Sequence, residues 1–434
     1  MSSGDPVALK PYPSKLIVET TTRCNLQCAM CMKNVCGHDF HEADMTTGTY
    51  DALREAFPSI EALVLNGIGE PLMHPQLEEF IGSARKSMPA HGWVGFQSNG
   101  HLIDAARAER LIGAGLDRIC LSIDAVDPEG FRLIRTGGEL AGVQRALSAL
   151  RTARIRLHAP LQIGIEFVLR RDNLADLPST IHWAGQNGAD FAVVTQLFPY
   201  HPDLAEQAVY DANLDESVNV YRKYSNMAQR ENLVLGRYRN AYTRYLTTDS
   251  DERVRNLVDA MVAEALARGV TLNLEKLFAM DLSLQEKTAS VFEEARDAAG
   301  RWGIDLRLPG VMPRSTRRCE FVEEGCAFVS VDGWVHPCYF LWHRYRCYVN
   351  GLEKAVGPKR FGNLKDSGVL QIWNDPAYAT FRKNVLRYDY PFCFNCSFAL
   401  CDYVQGESFE QDCYINTEPC AACLWCMDVF QCLK

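Results

Sequence analysis

Three thiols raise the first chemical question. In TTRCNLQCAMCMKN, residues 21–34, Cys24, Cys28 and Cys31 stand at the spacing C-x3-C-x2-C. Three thiolates so placed can hold three irons of a [4Fe–4S] cluster and leave the fourth without a protein ligand, open to a substrate or cofactor. A structural zinc site is the competing reading; it wants four closed ligands, and Cys36 could supply the fourth. Of seventeen cysteines, four lie at 24–36, one is Cys120, and twelve crowd residues 319–432. An odd count in a reducing compartment points to metal or cluster ligation rather than a disulfide framework. The distribution predicts two cysteine sites at opposite ends of the chain.

The 434 residues, 47% hydrophobic and 23% charged, are those of a globular protein with one large α/β domain and a satellite, or two domains. No apolar run approaches the ~18 residues of a membrane span, and MSSGDPVALKPYPSK has no signal-peptide h-region. The chain is read as cytoplasmic, without a membrane partner. A formal charge of −9 with no long Lys/Arg run excludes nucleic acid as a partner on electrostatic grounds.

The elements that must position the thiols follow from periodicity. Short β-branched or apolar runs at 15–20, 62–67, 92–99, 117–125, 161–169 and 190–198 alternate with amphipathic helical patterns. Six such units predict a parallel, right-handed βα array, either an open doubly wound sheet or an incomplete barrel. Ligands of such folds sit at the carboxyl ends of the strands. There the sequence places the cysteine triplet, NGIGEP (66–71), SNG (98–100), LSIDA (121–125), Glu166 and QLFPY (196–200). Residues 201–310 read as a mostly helical insert with one or two added strands. From 311 the chain turns aromatic, Cys-rich and loop-like, with 361–385 as one clear helical segment.

CNLQCAMC, GIGEP and LSIDA together resemble the radical S-adenosylmethionine (SAM) superfamily over residues 15 to about 200. The resemblance implies a partial (β/α)6 barrel with a [4Fe–4S] cluster on Cys24, Cys28 and Cys31 and SAM on the open iron. It further implies that Met30 packs against adenine, and that Gly67, Gly69, Glu70 and Pro71 approach the methionine amino group. Asn99, Ser122, Asp124 and Glu166 would take ribose hydroxyls or the carboxylate, and Arg135 the carboxylate. For Glu166 a structural carboxylate, and for Arg135 a surface arginine, are the plain alternatives.

The tail, with Cys319, Gly333, Cys338 and the pair Cys393/Cys396, is similar to the SPASM extension, which implies two auxiliary [4Fe–4S] clusters. Its candidate ligands are Cys319, Cys338, Cys393, Cys396, Cys413, Cys420, Cys423 and Cys432. Cys401 is a ninth, displaced by one residue from the usual spacing. Cys326, Cys347 and Cys426 fall outside the pattern and read as buried thiols, and zinc is the alternative metal. The closing stretch most resembles the branch that includes tungsten-cofactor oxidoreductase maturases.

The implied reaction is reductive cleavage of SAM to a 5′-deoxyadenosyl radical, which abstracts a substrate hydrogen and leads to oxidation or crosslinking of a peptide or protein segment. An electron donor such as flavodoxin or ferredoxin is implied as well. A dehydrogenase or epimerase of a small molecule, such as an aminoglycoside or cofactor precursor, is the second reading. An iron–sulfur electron carrier is the third, and it leaves GIGEP and LSIDA unexplained. Only 23 residues precede Cys24, too few for a leader-binding domain, so recognition is expected from the insert, the tail or a separate protein. No acid or base is assigned; Tyr200 and His343 are the polar residues to inspect.

Overall fold

A computed structural model describes residues 6–36, 40–349, 351–396, 401 and 406–433. The six apolar runs form strands β1 (Lys15–Val18), β2 (Ala62–Val64), β3 (Trp93–Ser98), β4 (Arg118–Ser122), β5 (Gln162–Leu169) and β6 (Phe191–Gln196). Each pairs in parallel with the next in sequence, the winding of a βα barrel. The helices between them turn an apolar stripe inward. In Leu77–Ser87, for example, Leu77, Phe80, Ile81 and Ala84 are buried, the i, i+3, i+4, i+7 pattern of a core-facing helix.

Both edges are extended from distant sequence. β7 (Asp305–Arg307) pairs with β6. At the other edge β8 (Cys326–Val329) pairs in parallel with β1, with Lys15 opposite Cys326 and Val18 opposite Val329. β9 (Trp334–His336) follows antiparallel. A hairpin of β10 (Tyr345–Val349) and β11 (Leu352–Val356) stands apart, and β12 (Gly362–Asn363) closes the ten-stranded sheet on β9. The tail is thus built directly onto the barrel's first strand.

In the insert, helices Asp215–Arg230 and Asp249–Ala267 share a core of Val218, Tyr221, Val254, Val258 and Met261. Helix Leu282–Trp302 instead packs on Leu177–Gln186 of the barrel. Of the one or two added strands expected here, one forms, β7. Residues 270–273 are irregular, because Asn273 accepts from Lys276 N and caps helix Leu274–Phe278. The helical segment at 361–385 splits into Val369–Trp373 and Pro376–Val385, since Pro376 lacks an N–H and Asp375 caps the second piece. No helix among the described residues is long and apolar enough to cross a membrane.

Candidate functional site

The loop leaving β1 carries the three cysteines and is tied down by backbone. Gln27 N donates to Thr136 O at 2.9 Å and Ala29 N to Ile134 O at 3.0 Å. Cys28 is buried and Cys24 and Cys31 partly so, with Leu26, Met30 and Ile134 packed around them. Burial raises both partly buried thiols, Cys31 to about 11, and the neighbouring cysteines add to the effect. Thiols that resist ionising beside one another ionise together when a cation binds among them. Cys36 lies near Tyr200 and Cys347 as well as near Cys31. Among the described residues no three His, Cys, Asp or Glu side chains converge closely enough to hold a single metal ion; a four-iron cube is a wider body.

The glycine loop is explained by what it lies against. A Cβ on Gly67 would come within 2.6 Å of Glu19 Oε1, and one on Gly69 within 2.6 Å of Arg23 O, so only glycine lets the loop seat on the cysteine loop. Glu19 is fully buried. It accepts from Ile68 N at 3.0 Å, from Val331 N at 3.2 Å and from His343 Nε2 at 3.0 Å, joining β1, the glycine loop and the tail. Sequence reading passed over Glu19; its signal is a carboxylate closing the apolar run KLIVET. Glu70 is also buried and committed to protein. It accepts from Ser98 Oγ at 2.8 Å, Asn99 N at 2.8 Å and Leu72 N at 3.1 Å, and burial raises its pKa. Pro71 opens the short helix Pro71–Met73 behind it. Asn99 Nδ2 reaches across to Asn25 Oδ1 in the cysteine loop at 2.8 Å.

After β4, Asp124 and Arg135 meet each other. Arg135 Nε donates to Asp124 Oδ2 at 2.6 Å, Val168 N to Asp124 Oδ1 at 2.8 Å, and Arg135 Nη1 lies 4.0 Å from Cys28 Sγ. Asp124 is 0% and Arg135 9% exposed. The carboxylate therefore aims the guanidinium at the cysteine loop, with its remaining N–H groups free for another oxyanion. Ser122, also buried, faces Glu166 in the β4–β5 register. Burial pushes Glu166 up to about 7, against the lowering effect of Arg135 and a hydrogen bond with Gln97.

Met30, Gly67, Glu166 and Tyr200 line one cavity of about 240 Å³, whose opposite wall is Trp425 and Cys432 of the tail. Tyr200 sits edge-on to Phe198 and Tyr345 at 4.8 and 5.4 Å between ring centroids. His343 is not in this cavity; it lines another with Thr22 and His336. Trp342 borders both.

The tail cysteines fall into two groups. Cys319, Cys338, Cys420 and Cys423 line one chamber, and Cys326, Cys426 and Cys432 line it with them. Cys432 borders the barrel cavity too, and burial, with Glu166 next, holds it up at about 12. Cys393 lies near Cys396 and Cys413, and Cys413 near Cys396 and Cys401; residues 397–400 of that run lie outside the described ones. Each group meets a cation with N–H groups that find no partner among the described residues, although Arg317 Nη2 donates to Pro391 O at 2.7 Å. Arg317 lines the first chamber with Nε and Nη1 buried and unpartnered. Lys354, 9% exposed, has no partner for Nζ among the described residues and lines a small cavity with Cys347 and Cys393. Buried cations require anions, and thiolate-bound iron–sulfur clusters are anions, so this donor chemistry fits them. Neither Arg317 nor Lys354 was evident in the sequence.

Comparison with known proteins gives the geometry its family. Residues 18–184 match the Radical SAM superfamily, and residues 319–397 match SPASM, an iron-sulfur cluster-binding domain. The chain carries a radical SAM domain followed by a SPASM domain. Its radical SAM domain implies a [4Fe–4S] cluster and SAM, its SPASM domain implies iron–sulfur clusters, and the superfamily is one of enzymes. End to end, it is similar to the tungsten-containing aldehyde ferredoxin oxidoreductase cofactor-modifying protein of Pyrococcus furiosus, at 27% identity over 424 residues and 96% of each chain. It is 33% identical to the PqqA peptide cyclase of Granulibacter bethesdensis over 180 residues, 41% of this chain and 45% of that one. Among solved structures, SuiB of Streptococcus suis shares the radical SAM fold at TM-score 0.50 and 12% identity, over 89% of this chain and 71% of SuiB.

Proposed function

We propose that this chain is a radical SAM/SPASM oxidoreductase that takes a hydrogen atom from a substrate held between its barrel rim and its tail, oxidising or crosslinking a peptide. The observation that carries the reading is the shared cavity, where Met30, Glu166 and Tyr200 face Trp425 and Cys432. Domains of residues 1–200, 201–310 and 311–434 divide the work. When bound on Cys24, Cys28 and Cys31, a [4Fe–4S] cluster supplies the electron that splits SAM into methionine and the 5′-deoxyadenosyl radical.

The chain's own residues bind, orient and exclude. Asp124 holds Arg135 so that its free N–H groups meet the SAM carboxylate, Ser122 offers a hydroxyl to the ribose, and Met30 packs on the adenine. Glu166, titrating near neutrality, donates or accepts a hydrogen bond at the ribose or substrate. Trp425 and Phe430, 4.6 Å apart, keep water from the radical's path. Two auxiliary clusters are assigned to the two tail groups, with reducing equivalents from a flavodoxin or ferredoxin.

A peptide is supported by the likeness to a peptide cyclase and to SuiB, a structure of which is bound to precursor peptide SuiA. A cofactor precursor is the second reading, favoured because the end-to-end likeness is to a cofactor-modifying protein. The test is anaerobic reconstitution, reduction with dithionite, and measurement of 5′-deoxyadenosine from SAM. Reconstituted, reducible protein that leaves SAM intact would overturn the reading in favour of an electron carrier.

A further inference from the structure

Beyond Trp342, away from the barrel cavity, lies a larger cavity of about 560 Å³, lined by His336, Trp342, His343, Arg344 and Arg360 among others. Its lining includes several donors for which the described residues supply no acceptor. Arg344 and Arg360 have no carboxylate partner among the described residues, in contrast to Arg346 nearby, which pairs with Glu353 and Glu407. The Arg360 guanidinium lies over the Trp334 ring, 4.9 Å from its centroid. Trp342 Nε1 is buried without a partner. His336 is 2% exposed, and its Nδ1 has no partner either.

The carboxylates at hand are already engaged. Asp332, which also lines the cavity, accepts from Ser330 Oγ at 2.6 Å. Glu19 lies behind His343 and is filled by its three donors. The imidazole of His336 is a further ring on the same wall. Such a ring can meet a hydroxyl or an oxyanion oxygen according to its tautomer.

A guanidinium and an indole N–H can only donate. Two exposed guanidiniums with no carboxylate partner among the described residues, beside an indole N–H buried at the same space, suit a ligand that brings acceptor oxygens and negative charge. Because Trp342 borders both cavities, a molecule anchored here extends past that ring toward Met30 and Glu166.

We propose that this outer cavity is the anchoring subsite for an oxyanion group, phosphate or carboxylate, on the substrate whose reacting carbon enters the barrel cavity. The inference rests on the proposed reaction and adds the chemical class of its substrate.

Equilibrium dialysis of the reconstituted full-length protein against inorganic phosphate, and separately against succinate, tests it. One saturable anion per chain is expected, and the better-held probe identifies the group. Arg344→Gln and Arg360→Gln should each weaken it about tenfold, the size of one lost charge-assisted hydrogen bond. Trp342→Phe should weaken it less. Arg145→Gln, at an exposed position far along the chain on helix Leu140–Arg156, should bind as wild type. If neither anion saturates, or if the arginine variants bind like wild type, the inference is overturned. Wild-type SAM cleavage, followed in parallel, keeps the two readings apart. Cleavage without anion binding removes only the subsite, whereas anion binding without cleavage removes the reaction.

Discussion

Replacing Arg135 with Met should destabilise the protein chiefly through what it leaves behind. Arg135 Nε and Asp124 Oδ2 are 2.6 Å apart, Asp124 is fully buried, and its other oxygen holds Val168 N at 2.8 Å. Without the guanidinium, that carboxylate keeps one backbone donor and loses its counter-charge, a defect of about 3 to 5 kcal/mol. With an unfolding entropy of about 2 cal/mol/K per residue over 434 residues, the melting midpoint should drop by about 3 to 6 °C. The assay is anaerobic thermal unfolding of wild type, Arg135→Met, Asp124→Asn and the double variant under one set of conditions. The double variant should recover most of the loss, because the amide oxygen introduced by Asp124→Asn can still accept from Val168 N and no charge remains unpaired. Equal melting of Arg135→Met and wild type would refute the argument. So would a double variant as unstable as the arginine variant, because the loss would then be one of packing.

Three further outcomes are expected. Glu166 has its folded pKa near 7 against an ordinary 4.5; between those values the folded state keeps a proton that the unfolded state has lost. Stability should therefore fall by about 3 kcal/mol as pH rises through that window, and Glu166→Gln should flatten the dependence, as read by melting at pH 5 and pH 8. Cys24→Ala, Cys28→Ala and Cys31→Ala should each abolish 5′-deoxyadenosine formation while Cys36→Ala retains it; an equal loss in Cys36→Ala would restore the closed four-thiolate site. Replacing Cys393 and Cys396 together with Ala should lower bound iron from about twelve to about eight per chain. SAM cleavage should persist and substrate turnover should stop, whereas a folded variant that still turned over substrate would make that group structural.

The barrel was legible because each of its strands is a short β-branched or apolar run, closed by an unusual residue where the chain must turn toward the site. Local patterns of this kind survive without knowledge of partners. β8 and β9 were not legible, because AFVSVDGWVH lies among cysteines and becomes sheet only through β1. The triplet and the tail cysteines could be named, since thiols advertise themselves. Their grouping could not, because it depends on how loops fold back: Cys319 joins Cys420 and Cys423 across a hundred residues while Cys393 joins Cys413. Asp124 and Arg135 were read as separate ligand contacts, whereas the turn between them brings the two side chains together. Glu19 and Lys354 look ordinary in sequence, and only burial makes them informative.

The pairing of β1 with β8 also sets a schedule for making the protein. Lys15 and Glu324, 309 positions apart, form an ion pair beside that seam, so one edge of β1 has no mate until the chain has been made as far as β8. At about 5 to 20 residues per second, synthesis leaves that edge unpaired for roughly 15 to 60 s. Throughout the interval Cys24, Cys28 and Cys31 stand just beyond a raw β-edge, the kind of edge that invites association with other chains. The seam thus makes completion of the sheet a late event in biosynthesis. A nascent chain of this protein is one that cellular chaperones have reason to hold.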